Sequence, residues 1–271
     1  RGVIAFSSSL DQVGVVASDV DGAAALLQVI CGHDPGDATS SPRAVPDLQA
    51  GGADVRGLRV GVPRRLLAGL DGVIKDALAD AEADLRDRGA VVVDVDLDAA
   101  EFAVAAYYVI AMAEASSNLA RYDGVRFGPR GTASTLDRMY EETRALFGNE
   151  VRRRLLLGAF VLSAGFYDAY VEQAQRVRTL IARGFERAFS TCDVVLLPTT
   201  PTTAWTRGEK SDPLSMYLAD LFTLPASLAG LPALSVPVRA SSTLPVGLQL
   251  VGRAFDEATL LRAGRALFTP F

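Results

Sequence analysis

Three consecutive arginines, Arg152, Arg153 and Arg154, run straight into Leu155–Tyr167 (LLLGAFVLSAGFY), thirteen residues with no charge among them. Helix residues advance by about 100° each, so the three guanidinium groups fan out over about 200° of the wheel. The residues after them are apolar or small all round, which predicts a core helix. The run is too short for a membrane span, which needs ~20 apolar residues. A helix N-terminus already carries partial positive charge, so cations there gain nothing from the dipole. Two readings follow. Either all three side chains snorkel to water, or one is held inward to meet an anion. Arg154 is the candidate for the second, because it shares a face with Gly158, Val161, Leu162 and Gly165. Two glycines on that line are expected to leave room for a ligand.

A guanidinium fork pairs bidentately with a carboxylate. An amino-acid ligand would also want an acid for its ammonium group. Asp220, in SMYLADLFTLP, is a lone acid in the otherwise apolar run Leu218–Leu224. It reads equally as one charge on an exposed helix face. Tyr107, in AAYYVIAMAEA, has an apolar body and a hydroxyl tip. It reads equally as plain core packing. Brought to one pocket, Tyr107, Arg154 and Asp220 would suit a zwitterionic amino acid.

Other chemistries find little support. His33 is the only histidine and sits in the turn-like CGHDPGD. No GxSxG elbow accompanies it, and multi-histidine metal sites are excluded. Neither GxxxxGK[ST] nor a GxGxxG after a strand occurs. The two lysines, Lys75 on an amphipathic helix and Lys210 in a polar loop, do not read as buried, as a lysine activating a serine must be. Ser7–Ser9 forms a hydroxyl cluster for which no base is visible.

The elements that must position these residues follow from periodicity. Arg1–Phe6 reads as a buried strand and Ser7–Ser9 as a turn. Asp19–Ile30 has helical spacing with Asp19 as N-cap. Gly32–Asp54 is a long loop. Leu58–Val62, Val73–Arg88 and Ala90–Leu97 form a strand–helix–strand unit, which favours a parallel or mixed sheet. Helices are expected over Ala99–Arg121, Ser134–Phe147, Glu150–Phe189 and Leu214–Leu228. Asp193–Leu197 reads as a buried strand, and Ala233–Val238 and Val246–Val251 as a strand pair. Asp256–Leu267 closes as a helix capped by Asp256. The expected fold is α/β, a mixed sheet flanked by helices, in a single domain over 1–271 with a helical insertion at about 99–190.

At 271 residues, with 49% hydrophobic content, the chain holds enough apolar material for a sizeable core. Its net charge of −5 argues against a broad nucleic-acid grip by this chain itself. Cys31 and Cys192 lie far apart without a CxxC, which suggests neither zinc nor a disulfide framework. A cytoplasmic protein with no leader, no membrane segment and no cofactor of its own is expected. The opening RGVIAFSSSL starts in an apolar run with no methionine, so Arg1 is not expected to be the natural start.

The words IAFSSSLDQVG, GHDPGDATS, YYVIAMAEASSNLARYDGVRFG, VRRRLLLGAFVLSAGFYDAY, VRTLI, DVVLLPTTPTTAW, DPLSMYLADLFTLPASLAGLPALSVPV and PVGLQLVG run in order from end to end. With them the chain resembles the A subunits of the glutamyl-tRNA(Gln)/aspartyl-tRNA(Asn) amidotransferases, within the amidase signature family. PASLAGLPALSVPV and PVGLQLVG are shared by amidases broadly. EASSNLARYDGVRFG and VRRRLLLG are specific to the amidotransferase. The resemblance implies an amidase-signature fold and a Ser–cis-Ser–Lys triad that falls upstream of Arg1, so this chain alone is expected to be inactive. It places Tyr107 against glutamine, Arg154 on the glutamine α-carboxylate and Asp220 on its α-ammonium. It implies that ammonia released from glutamine passes to a B subunit. There ATP and Mg²⁺ serve the conversion of misacylated Glu-tRNA(Gln) to Gln-tRNA(Gln), with Asp-tRNA(Asn) left open as a second substrate, and a small C subunit braces the pair. The tRNA would be held mainly by B. Where the family has Pro-x-Thr-Arg after SLDQVG, this chain has Val15, Val16, Ala17 and Ser18. Two other readings stay open: a free-standing amidase of small amides, and a non-catalytic fragment or paralogue.

Overall fold

The βαβ pattern at residues 58–97 folds as its periodicity requires. In the computed structural model, which describes residues 2–209 and 216–269, β1 (Arg59–Val62) leads through α2 (Gly72–Asp87) to β2 (Val91–Asp94). The two strands pair in parallel with Arg59 opposite Val91. Ahead of them lies α1 (Val20–Ile30), whose first turn is capped by the Asp19 carboxylate, accepting from the Gly22 N–H at 2.6 Å. Such a cap contributes about 1 kcal/mol. The sheet is completed by β3 (Val194–Pro198), β4 (Ala233–Val238) and β5 (Val246–Gly252), in the order β2-β1-β3-β5-β4. β1 and β3 are parallel, while β3–β5 and β4–β5 are antiparallel. The sheet is therefore mixed and helix-flanked, as expected.

The apolar run VVLLP of β3 is buried at every residue, which is how a strand covered on both faces reads in sequence. Val60, Val62, Val194, Leu196, Leu248 and Leu250 meet Ile74, Leu78 and Leu85 of α2 and Leu260, Leu261 and Leu267 of α8 (Glu257–Leu267). Each such side chain contributes roughly 1.5–3 kcal/mol by leaving water. The start of β3 is pinned by Asp193, whose carboxylate accepts the Arg59 N–H at 2.9 Å and its guanidinium at 2.6 Å. Gly61 is needed where it stands, since a Cβ there would lie 2.7 Å from the Cys192 Sγ. α8 is capped by Asp256 through the Thr259 N–H, as its sequence predicts.

The chain divides into two compact units. One comprises Val13–Val104 and Arg178–Phe271 and carries the sheet; the other comprises Gly2–Gln12 and Ala105–Val177. The second is helical: α3 (Ala103–Asn118), α4 (Leu136–Ala145) and α5 (Asn149–Val161), with a π-turn at Asp168–Glu172 leading into α6 (Gln173–Thr191).

Three expectations need correction. Residues 2–5 are not a strand: Gly2 has φ +93°, Val3 is 73% exposed, and the sheet order gives the run no neighbour among the described residues. The region expected to hold helices over 150–189 does so in α5, which ends at Val161, and α6, with Gly165 at φ +87° in the turn between them. The predicted helix over 214–228, which begins outside the described residues, is broken. A single 3-10 turn at Leu218–Asp220 precedes α7 (Leu224–Ala229), with Pro225 in its first turn and Gly230 ending it at φ +67°. Lastly, α5 is not a core helix. Leu155, Gly158 and Val161 are buried, while Leu156 and Phe160 are exposed. Its apolar residues outnumber the one face that α3 covers.

Candidate functional site

The first turn of α5 solves the problem of three cations at a helix N-terminus. Glu150 precedes them and suits the positive end of the dipole. Its Oε2 accepts from Arg153 Nη1 at 2.9 Å, and its Oε1 from Arg154 Nε at 3.0 Å. Arg152 donates to the Asn149 side-chain oxygen at 3.0 Å. Arg152 and Arg153 are exposed and Arg154 is half-buried. Arg152 and Arg153 thus reach water as the snorkelling reading has it, while Arg154 is half-buried and meets the carboxylate of Glu150, one turn back on its own helix.

Within this helical unit, the Arg154 guanidinium is flanked by two aromatic rings. Its Cζ lies 5.8 Å from the ring centre of Tyr108 and 5.8 Å from that of Phe6, inside the range of cation–π attraction. Tyr107 and Tyr108 pack edge to face at 5.1 Å, and both phenols lie close enough to act on the Arg154 charge. Burial works against that charge, but the Glu150 hydrogen bond and the phenols more than offset it, so the guanidinium is held above the usual arginine range. Glu150 engages the Nε edge. The Nη1/Nη2 edge, which clasps a carboxylate end-on, is not used by that bond.

The space beside Arg154 differs from the sequence expectation. Gly158 does not open room for a ligand. A Cβ there would meet the Met112 carbonyl oxygen at 2.0 Å and the Ser116 Cβ at 2.6 Å. The glycine lets α5 lie backbone-close on α3, one turn from the pair Arg154–Tyr108. Gly165 serves the turn after α5.

Asp220 lies in the sheet-bearing unit, half-buried at the end of its 3-10 turn. Its carbonyl accepts the Thr223 N–H and hydroxyl, each at 3.1 Å. The next turn is fastened to the sheet: buried Gln249 of β5 donates its side-chain amide to the Phe222 carbonyl at 2.8 Å. Tyr107 and Arg154 are therefore brought together in one unit, and Asp220 is held in the other.

His33 and Lys75 are exposed, and Lys210 lies outside the described residues. Among the described residues no group of histidine, cysteine or acidic side chains could hold a metal ion, and no helix is long and apolar enough to cross a membrane. Ser7 is 2% exposed, with its hydroxyl donated to Glu114 at 2.7 Å. It is a structural hydroxyl. Glu114 itself escaped the sequence reading, although it is the one charged residue in α3 (AVAAYYVIAMAEASSN), the same signal that singled out Asp220.

The amidase family model matches residues 1–261. The chain belongs to the amidase family. Among this amidase chain's curated relatives, the A subunit of the Rhodospirillum rubrum glutamyl-tRNA(Gln) amidotransferase is 57% identical over 98% of the chain. The protein of the same name from Anaeromyxobacter is 56% identical over 98%. The crystal structure of the A subunit of the Thermotoga maritima glutamyl-tRNA(Gln) amidotransferase matches 99% of the chain with TM-score 0.77 and 37% identity. The chain spans about half the length of these relatives: 54% of the Rhodospirillum protein, 56% of the Anaeromyxobacter protein and 57% of the Thermotoga chain.

Proposed function

We propose that this chain is the glutamine-recognising portion of the A subunit of a tRNA-dependent amidotransferase. The observation that carries the reading is Arg154. Its guanidinium is half-buried, fixed by Glu150 and flanked by Tyr108 and Phe6, in a chain whose curated relatives bear that subunit's name at 57% identity. A desolvated, pre-oriented guanidinium is a carboxylate receptor. In this reading Arg154 binds the α-carboxylate of glutamine, Asp220 the α-ammonium, and the Tyr107 hydroxyl contacts the substrate. The side-chain amide is then hydrolysed to release ammonia. Covalent catalysis by a Ser–cis-Ser–Lys triad belongs to the half of the relatives' length that this chain does not span. A partner B subunit, using ATP and Mg²⁺, transfers the ammonia to the glutamyl group of misacylated Glu-tRNA(Gln), and a C subunit braces the pair. Asp-tRNA(Asn) would be a second substrate wherever that misacylated tRNA is made.

The test is glutamine saturation of the native enzyme with Arg154→Ala. Truncating one partner of a buried charge pair costs ~2–5 kcal/mol, so KM for glutamine should rise by at least about 30-fold. An unchanged KM would refute the assignment. A free-standing small-amide amidase would show itself by turning over carboxylate-free amides as well as glutamine.

A further inference from the structure

Phe6 is half of the aromatic clamp on Arg154, yet it sits in no helix or strand. What holds its ring in place is a polar frame around the turn Phe6–Asp11. The Asp11 carboxylate accepts the N–H groups of Phe6, at 2.7 Å, and Ser7, at 3.0 Å. The Ser7 carbonyl accepts the N–H groups of Leu10 and Asp11. Asn118 donates to the Phe6 carbonyl at 3.2 Å and the Ser8 hydroxyl at 2.9 Å. Glu114 closes the frame, its Oε2 accepting both the Ser7 hydroxyl at 2.7 Å and the Ser9 N–H at 2.9 Å.

These struts come from the helix that carries the other half of the clamp. Tyr107, Glu114 and Asn118 are spaced by seven and four residues along α3, which places them on one helix face. Tyr108 adjoins that face. Both rings against Arg154 thus take their positions from α3: Tyr108 directly, and Phe6 through Glu114 and Asn118. Of the two struts Glu114 is the stronger, since hydrogen bonds to an ionised acceptor are roughly twice as strong as neutral ones. It also uses a single oxygen for both bonds.

We propose that Glu114 is a positioning residue for amino-acid recognition. By holding the Ser7–Ser9 turn it keeps Phe6 against Arg154, and so sets the affinity for the substrate's α-carboxylate. This rests on the reading of Arg154 as the carboxylate partner. Glu114 touches neither substrate nor reacting atoms in this role. Its effect is confined to substrates that carry the carboxylate.

The experiment compares two substrates in the native enzyme: glutamine, and 4-aminobutyramide, which is glutamine with hydrogen in place of the α-carboxylate. Each is assayed by ammonia release. Glu114→Ala should raise KM for glutamine by about tenfold, as a misplacement of under 1 Å does, while kcat/KM for 4-aminobutyramide stays within about twofold. Glu114→Gln should restore most of the glutamine KM, because its carbonyl oxygen accepts the same two bonds. Phe6→Leu should reproduce the Glu114→Ala pattern without touching the turn, and Ser7→Ala should do so more weakly. The latter two carry the test should Glu114→Ala fail to fold. Equal losses on both substrates would overturn the proposal, since a merely structural role predicts them. Arg154→Met separates this inference from its foundation. If Arg154→Met does not discriminate between the substrates, the reading of Arg154 falls and the proposal with it. If it does while Glu114→Ala and Phe6→Leu do not, the proposal alone falls.

Discussion

A methyl group added at Gly158 tests how Arg154 is held. On an exposed helix, Gly→Ala stabilises by about 1 kcal/mol. Here the new Cβ would lie 2.0 Å from the Met112 carbonyl oxygen and 2.6 Å from the Ser116 Cβ. The first of these is backbone and cannot rotate away. Reaching an ordinary contact distance of about 3.5 Å requires α5 to retreat from α3 by roughly 1–1.5 Å. Overpacking of this kind costs typically 1–3 kcal/mol or more, and a backbone clash belongs at the upper end. After the propensity gain, Gly158→Ala should destabilise by about 2 kcal/mol. The same retreat acts one turn upstream, where Arg154 meets Tyr108. The guanidinium–ring distance, now 5.8 Å, would grow to about 7 Å, beyond the range of cation–π attraction. The urea midpoint and the glutamine KM of the native enzyme should therefore worsen together. A variant as stable as the parent would refute the backbone contact between α3 and α5. A destabilised variant with an unchanged glutamine KM would show that this contact does not govern Arg154.

Two further outcomes follow from titrating groups in the sheet-bearing unit. The Arg59 hydrogen bond holds the Asp193 carboxyl below its ordinary value, against the opposing effect of burial. Its contribution is present above the unfolded pKa of roughly 3.9 and is lost as pH falls through the folded value; Asp193→Asn should flatten the acid limb of a stability-versus-pH curve below about pH 4, and an unaltered limb would dismiss the pairing as a stability determinant. Burial pushes the Cys192 thiol up to about 11, whereas Cys31 is exposed, so a thiol reagent at pH 8 should label Cys31 in the native protein and Cys192 only after denaturation; rapid native labelling of Cys192 in a Cys31→Ser variant would contradict its burial.

What the sequence disclosed was local. Asp19 and Asp256 announce their helices because an N-cap needs only a side chain and an amide three residues on. β3 announces itself because five consecutive apolar residues fit a strand covered on both sides. The Arg154–Glu150 pair is equally local, one turn apart, although the sequence reading followed the glycine face of α5 and passed over Glu150. The failures were matters of context. Val3 and Ile4 are as apolar as any strand, but a strand exists only where another pairs with it. Leu156 and Phe160 look buried because hydrophobicity does not record whether a neighbour arrives. Gly158 looked like space because a missing side chain reads the same whether ligand or backbone fills it. The bond from Ser7 to Glu114 spans 107 residues, and no periodicity reports a partnership of that length. The proposal that Tyr107, Arg154 and Asp220 meet glutamine came mainly from words shared with other proteins, since no periodicity in this chain joins those three residues.

The order of strands in the sheet also sets a schedule for synthesis. β1 and β2 leave the ribosome together, but two strands with a helix are marginal alone. Their central neighbour, β3, begins roughly a hundred residues after β2 ends, and the antiparallel strand that covers β3 on its other side, β5, later still. At 5–20 residues per second the wait for β3 alone is about 5–20 s. During that interval β1 lacks the strand it later pairs with, while α3, α4 and α5 are made. The long interruption between neighbouring strands thus leaves β1 waiting for its central partner until the helices between them have been made.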